Sequence, residues 1–169
     1  DAALQALVVW SHAGLGVLSD LGSHLLDMIL FLFGRPSAPI VPWACHRFEN
    51  RAFDHVVFGA DVDPVLHFEV TLLSWRNHHY TDVLAENGSA HIQSLCKWGP
   101  STFTLRDRKL PSGRPDEDTV TLVQPDPTWA LEYAHFKNLC ARGESNIDND
   151  IWINETLTDL SRQALGGEV

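Results

Sequence analysis

The chain has 169 residues, 44% of them hydrophobic, and a formal charge of −10 from 22 acidic against 12 basic side chains. That length suffices for one domain, residues 1–169, with its own core, and the negative balance argues against nucleic acid or an acidic membrane surface as a partner. No run approaches the roughly 20 apolar residues of a transmembrane span, because the stretch from Leu25 to Phe33 is short and carries Asp27.

Three scattered cysteines, Cys45, Cys96 and Cys140, lack metal-ligand spacing and read as free thiols in a reducing cytoplasm. No signal-peptide pattern is visible in these residues. The single methionine is Met28 and the chain opens on Asp-Ala-Ala-Leu, which suggests a piece of a longer protein.

In chain order, residues 4–10 form a strand candidate and residues 11–16 a glycine-containing loop. A helix follows to Phe33, with Ser19 or Asp20 as its cap and Gly34 as its stop, before Pro36. Leu21, Leu25, Met28, Ile29, Leu32 and Phe33 make a broad apolar face. Leu26, Leu30 and Phe31 extend it, so the helix is expected to be enclosed on most sides. Asp20, His24 and Asp27 fall within about 60° of one another, a narrow polar stripe that would be costly to bury unpaired.

From Ile40 to about Val123 the period changes to two. Ile40–Phe48 reads as a strand in which Pro42 marks a start or an edge. Val56, Phe58, Ala60 and Val62 share one face of the next strand. Leu66, Phe68, Val70 and Leu72 share one face of its hairpin partner. Asn87-Gly88, between Tyr80–Glu86 and Ser89–Leu95, is the strongest short hairpin signal. Thr102–Arg106 and Thr119–Val123 complete six to eight strands, separated by a polar surface loop from Asp107 to Asp118.

Two helices close the chain. The first, capped by Asp126-Pro127, carries Trp129, Tyr133, Phe136 and Cys140. The second, capped by Asp150, carries Ile151, Leu157, Leu160 and Ala164. The expected class is α+β: a large, mostly antiparallel sheet with helices on one face and the other face open for oligomerisation. No Gly-rich strand-to-helix turn of the dinucleotide-binding kind occurs.

Gly16-x-Leu18-x-Asp20-x-Gly22-x-His24-x-x-Asp27, closing on Leu32-x-Gly34, resembles the signature of the glucose-fructose oxidoreductase / inositol dehydrogenase / MocA family. A Ser74-Trp75 strand end, a Glu86-Asn87-Gly88-Ser89 hairpin and the closing helices extend the resemblance over nearly the whole chain. It implies the C-terminal domain of an NAD(P)-dependent oxidoreductase acting on a sugar, polyol or related hydroxy compound. The N-terminal Rossmann domain that holds NAD or NADP, with its Glu-Lys-Pro motif, has no counterpart in residues 1–169. Ala13-Gly14-Leu15-Gly16 also departs from the family's run of glycines.

The resemblance implies that Asp20 and His24 are the catalytic pair and Asp27 a structural group. An imidazole exchanges a proton near neutral pH, and a carboxylate one turn away orients it. His12, Trp75 and Tyr80 are candidates for substrate contact, the rings by stacking on a sugar face, although Trp75 and Tyr80 equally suit a core or interface. A metal held by His12, Asp20, His24 and Asp27 is the weaker reading, because the ligand spacing is mixed. Standing alone, an Asp and a His four apart are more often a local ion pair.

His55, His67 and Glu69 lie on the polar face of the central hairpin, which suits solvent, a substrate-site lining or a subunit interface; the resemblance implies the interface, in a homodimer or higher homo-oligomer. His78-His79 suits a solvated turn and His135 a helix surface. The competing class is a non-catalytic module that keeps the fold for dimerisation or small-molecule sensing.

Overall fold

The computed structural model describes residues 16–95 and 99–166. The strand expected over residues 4–10, His12 and Cys96 lie outside the described residues. The chain divides into two compact units, one built from residues up to Leu73 together with those from Ser145 onward, the other from Ser74–Glu144. Its class is α+β. Among the described residues, seven strands form two antiparallel sheets, of three and four strands.

In the first unit a π-helical turn, Leu18–Gly22, runs directly into α1, Ser23–Phe33. Strands β1 (Val41–His46), β2 (His55–Ala60) and β3 (Leu66–Thr71) form a sheet in that order. The alternation expected of the β2–β3 hairpin is present residue for residue. Val56 opposes Val70, Phe58 opposes Phe68 and Ala60 opposes Leu66, and all six are buried. Pro42 sits on an edge strand beside a register irregularity between Pro42 and Ala44, where a missing N–H is tolerated.

The long helix α3, Ile147–Ala164, joins α1 on the buried side of this sheet. Leu18, Leu26 and Ile29 from the first helix and Ile153, Leu157 and Leu160 from α3 make one cluster with the strand side chains. Two helices on one sheet face bury a helix on one side only, so α1 is not enclosed as expected. Phe31 is 87% exposed, and Leu32 and Phe33 are also at the surface. In α3 the helix begins before Asp150, which lies in its first turn, and Ile153 takes the buried place expected of Ile151. Capping at that end comes from Ser145, whose Oγ accepts the Ile147 N–H at 3.2 Å.

The segment between β1 and β2 is organised around Asp54, a carboxylate with no exposed surface. Its oxygens accept the backbone N–H groups of Phe48 (3.0 Å), Glu49 (2.7 Å) and Asn50 (3.2 Å). The Asp54 N–H donates to the His46 carbonyl at 3.1 Å, and the Asp54 carbonyl accepts the Leu72 N–H at 2.9 Å. Arg47 lies over the buried Phe53 ring at 4.3 Å. Burial raises the carboxyl pKa, but the N–H bonds from Glu49, Phe48 and Asn50 outweigh it and hold Asp54 below the usual carboxylate range.

In the second unit β4 (Tyr80–Ala85), β5 (Gly88–Gln93), β6 (Ser101–Asp107) and β7 (Asp116–Leu122) form a meander. The hairpin turn falls on Glu86-Asn87, not Asn87-Gly88, because Gly88 already pairs with Ala85. The β6–β7 strands also run further than expected, which leaves a shorter loop closed by the Lys109–Asp116 ion pair. Ser74 and Trp75 lie beyond the end of β3, in the bend that follows it.

Helix α2, Thr128–Arg142, begins one residue after the expected proline position. Asp126 accepts the Thr128 N–H at 3.0 Å, so it does cap-like work from outside the helix. The stripe Trp129, Tyr133, Phe136 and Cys140 has helical spacing, yet each of these residues is exposed.

Because the folded Asp54 pKa lies below its unfolded value of about 3.9, its stabilisation is complete above that value. It is lost as pH falls from about 4 through the folded pKa. Asp54→Ala should lower the unfolding free energy by about 3 kcal/mol in urea titrations at neutral pH, since three N–H groups lose their acceptor. The stability gap between wild type and Asp54→Asn should narrow as the buffer is taken from about pH 6 to about pH 2.

Candidate functional site

The polar stripe on the first helix is positioned by the glycines of its own motif. Gly16 has φ +55°, and an added Cβ would lie 2.3 Å from the Phe53 carbonyl oxygen. The next residue, Val17, donates its N–H to that same oxygen at 2.9 Å. At Gly22 an added Cβ would meet Leu157 of α3 at 3.3 Å, so this glycine lets the two helices approach. The glycines therefore bind the helix start to the Asp54 loop on one side and to α3 on the other.

With that side buried, the stripe faces outward. Asp20 is half-buried in the π-helical turn, and His24 and Asp27 are exposed. A π turn inside a helix is rare and recurs at functional positions. Asp20 does not cap the helix, and neither does Ser19. Ser19 Oγ donates back to the Gly16 carbonyl at 3.1 Å, and the Asp20 carbonyl accepts Ser23 Oγ at 2.9 Å. Neither the Asp20 carboxylate nor the His24 ring has a hydrogen bond or ion pair with another described residue. The burial cost expected of the stripe is thus avoided by exposure.

His12 lies outside the described residues. Trp75 (φ +55°) and Tyr80 are exposed and belong to the second unit, whereas Asp20 and His24 belong to the first. The Asp20–His24 pair and the two rings thus belong to different units. Among the described residues no group of three or more His, Cys, Asp or Glu side chains could hold a metal. Of the remaining histidines, His78 is exposed, but His79 is half-buried and meets Thr81 Oγ1 at 2.9 Å. Burial and the neighbouring His78 charge push the His79 pKa down. Burial raises the Cys45 thiol pKa, against the pull of Arg47.

A second polar constellation, not anticipated from the sequence, lies on one face of the four-stranded sheet. His91 Nδ1 is 2.6 Å from Asp82 Oδ1, and His91 Nε2 is 2.7 Å from Ser89 Oγ. Arg106 Nη1 reaches the same Nε2 at 3.2 Å, while its Nε donates to Glu117 at 2.8 Å. The Arg106 bond and charge hold Glu117 below the usual carboxylate range.

The register decides whether this cluster forms. A turn on Asn87-Gly88 would set Asp82 opposite Gln93, whereas the turn on Glu86-Asn87 sets it opposite His91. The available signal was the alternation of Ser89 and His91 on one strand face.

A dinucleotide sits at the carboxyl edge of parallel strands, on a Gly-rich turn into a helix. Every sheet pairing among the described residues is antiparallel, and the segment from β7 into α2 contains no glycine. These residues therefore do not fit a nicotinamide dinucleotide. No helix among the described residues is long and apolar enough to cross a membrane. No protein-family model, curated protein or solved structure matches the chain.

Gly16→Ala should cost about 1–3 kcal/mol, through a strained φ and the clash with Phe53. Calorimetry should show a lowered Tm, and an unchanged Tm would contradict this account of the helix start.

Proposed function

We propose that the chain is the substrate-binding and oligomerisation domain of a cytoplasmic NAD(P)-dependent oxidoreductase. Its substrate is a sugar, polyol or related hydroxy compound, and the dinucleotide is bound by a domain outside residues 1–169. The supporting observation is the outward-facing Asp20–His24 pair, four residues apart and unengaged by other described side chains. Unengaged groups keep their lone pairs and protons for a ligand.

His24 exchanges the proton at the substrate hydroxyl as the carbon–oxygen bond changes order, because imidazole gains and loses a proton near neutral pH. Asp20, one turn away, holds a neighbouring substrate hydroxyl. Asp27, exposed further along the helix, has a structural role and not a catalytic one.

For self-association, support comes from the sheet face turned away from the helices. There Trp43, 47% exposed, stacks on His67 with centroids 5.5 Å apart, and His46 stacks on His55 at 6.0 Å. Phe48, 65% exposed, meets the His46 ring at 5.2 Å. Exposed aromatic rings among polar groups are typical of interface patches.

In the full-length protein, His24→Ala should lower turnover of the preferred polyol by about 10²- to 10⁴-fold. Unchanged turnover by a folded variant removes His24 from the mechanism. A protein that binds the polyol without turning it over is instead a sensing module. Analytical ultracentrifugation at micromolar concentration should give a dimer for the wild type and a monomer for Trp43→Glu. A monomeric wild type overturns the interface.

A further inference from the structure

We propose that Ser89 is an acyl-accepting nucleophile, activated by His91 and Asp82, acting on small carboxylic esters at the solvent-facing side of the four-stranded sheet. This inference uses none of the residues of the oxidoreductase reading and lies within a different unit. It begins with the hydrogen-bond roles. A guanidinium only donates, so Arg106 Nη1 at 3.2 Å requires the His91 Nε2 lone pair to be free to accept. The ring proton therefore sits on Nδ1, directed at Asp82 Oδ1 at 2.6 Å. With Nε2 an acceptor, Ser89 donates its hydroxyl proton to it at 2.7 Å and shares the single lone pair with the longer Arg106 contact.

A hydroxyl donating to an imidazole whose other nitrogen donates to a carboxylate is the arrangement of a serine nucleophile, recognised by geometry and not by chain order. The His91 side chain is only 15% exposed and so is held in place, while the Asp82 carboxylate remains open to water. The rigid cross-strand register keeps the three groups aligned: Asp82 opposes His91 on β4 and β5, and Ser89 stands two residues from His91 on the same face.

The chemistry balances without any further reagent. Ser89 Oγ forms a bond to the ester carbonyl carbon as its proton passes to His91 Nε2. The tetrahedral centre then collapses, the carbon–alkoxy bond breaks, and the alkoxide leaves as an alcohol carrying the Nε2 proton. Water attacks the acyl-serine by the same route, giving the carboxylic acid and restoring Ser89. Once Nε2 is protonated, Arg106 loses its acceptor there. Arg106 is the direct cross-strand partner of Ser89 and is anchored by Glu117. Its freed N–H is then available to the oxyanion. Ser89 is half-buried on a strand of the sheet, a setting that suits short acyl chains.

An alkyl fluorophosphonate tests this on the intact chain, because the attacking Oγ displaces fluoride and remains covalently marked. Mass spectrometry of the digested protein should locate one adduct, on Ser89. The adduct should vanish in Ser89→Ala and form at least about 100-fold more slowly in His91→Gln, the usual weight of a lost general base. Asp82→Asn, a surface change, should slow it by at least about 10-fold, and far-UV circular dichroism should confirm that all three variants fold. An unlabelled Ser89, or a labelling rate that is unchanged in folded His91→Gln and Asp82→Asn, overturns the proposal and leaves the cluster as a cross-strand polar ladder.

Discussion

Much of the first unit depends on a single buried carboxylate. Asp54 replaces water as the acceptor for three consecutive N–H groups, so the segment between β1 and β2 folds in on itself. A buried carboxylate without partners would cost several kcal/mol, and here the backbone supplies the compensation. The same residue closes the sheet through His46 and Leu72. Its neighbour Phe53 presents the carbonyl on which Val17 docks. Removing the carboxylate therefore loosens a loop and also the start of the helix that carries Asp20 and His24.

The two polar constellations answer the cost of burying polar groups in opposite ways. On the helix, glycines at positions 16 and 22 allow close packing on the inner side, and the stripe is left facing outward with its groups unengaged. On the second sheet, Asp82, His91, Ser89, Arg106 and Glu117 satisfy one another across β4 to β7. An unengaged pair is available to a ligand from the outset. An engaged network is instead pre-aligned, with its proton positions set by the donor-only guanidinium.

Local pattern was legible wherever one face of an element is buried and the other is not. The β2–β3 hairpin followed directly from alternation, and Gly34 stops its helix with φ +77° and an N–H bond to Leu30. The glycine spacing of the opening motif was visible too, though its reasons, the Phe53 carbonyl and Leu157, come from distant parts of the chain. Helix starts were displaced because Ser, Asp and Asn side chains satisfy backbone groups from several positions, as Asp126 and Ser145 do. The role of Asp54 is not legible in the sequence, since nothing in its neighbours' identities announces three backbone donors.

By itself the sequence determined the α+β class, the period-two region and the hydrophobic faces of β2 and β3. These depend on periodicities of 3.6 and 2 that act within a few residues. Tertiary structure alone decided that the opening helix is covered on one side only and that the aromatic stripe of α2 stays exposed. It also decided that seven strands divide into two sheets and that Asp82 meets His91. Periodicity specifies which residues share a face, but not what lies against that face. A hairpin turn shifted by one residue re-pairs every cross-strand neighbour by two positions.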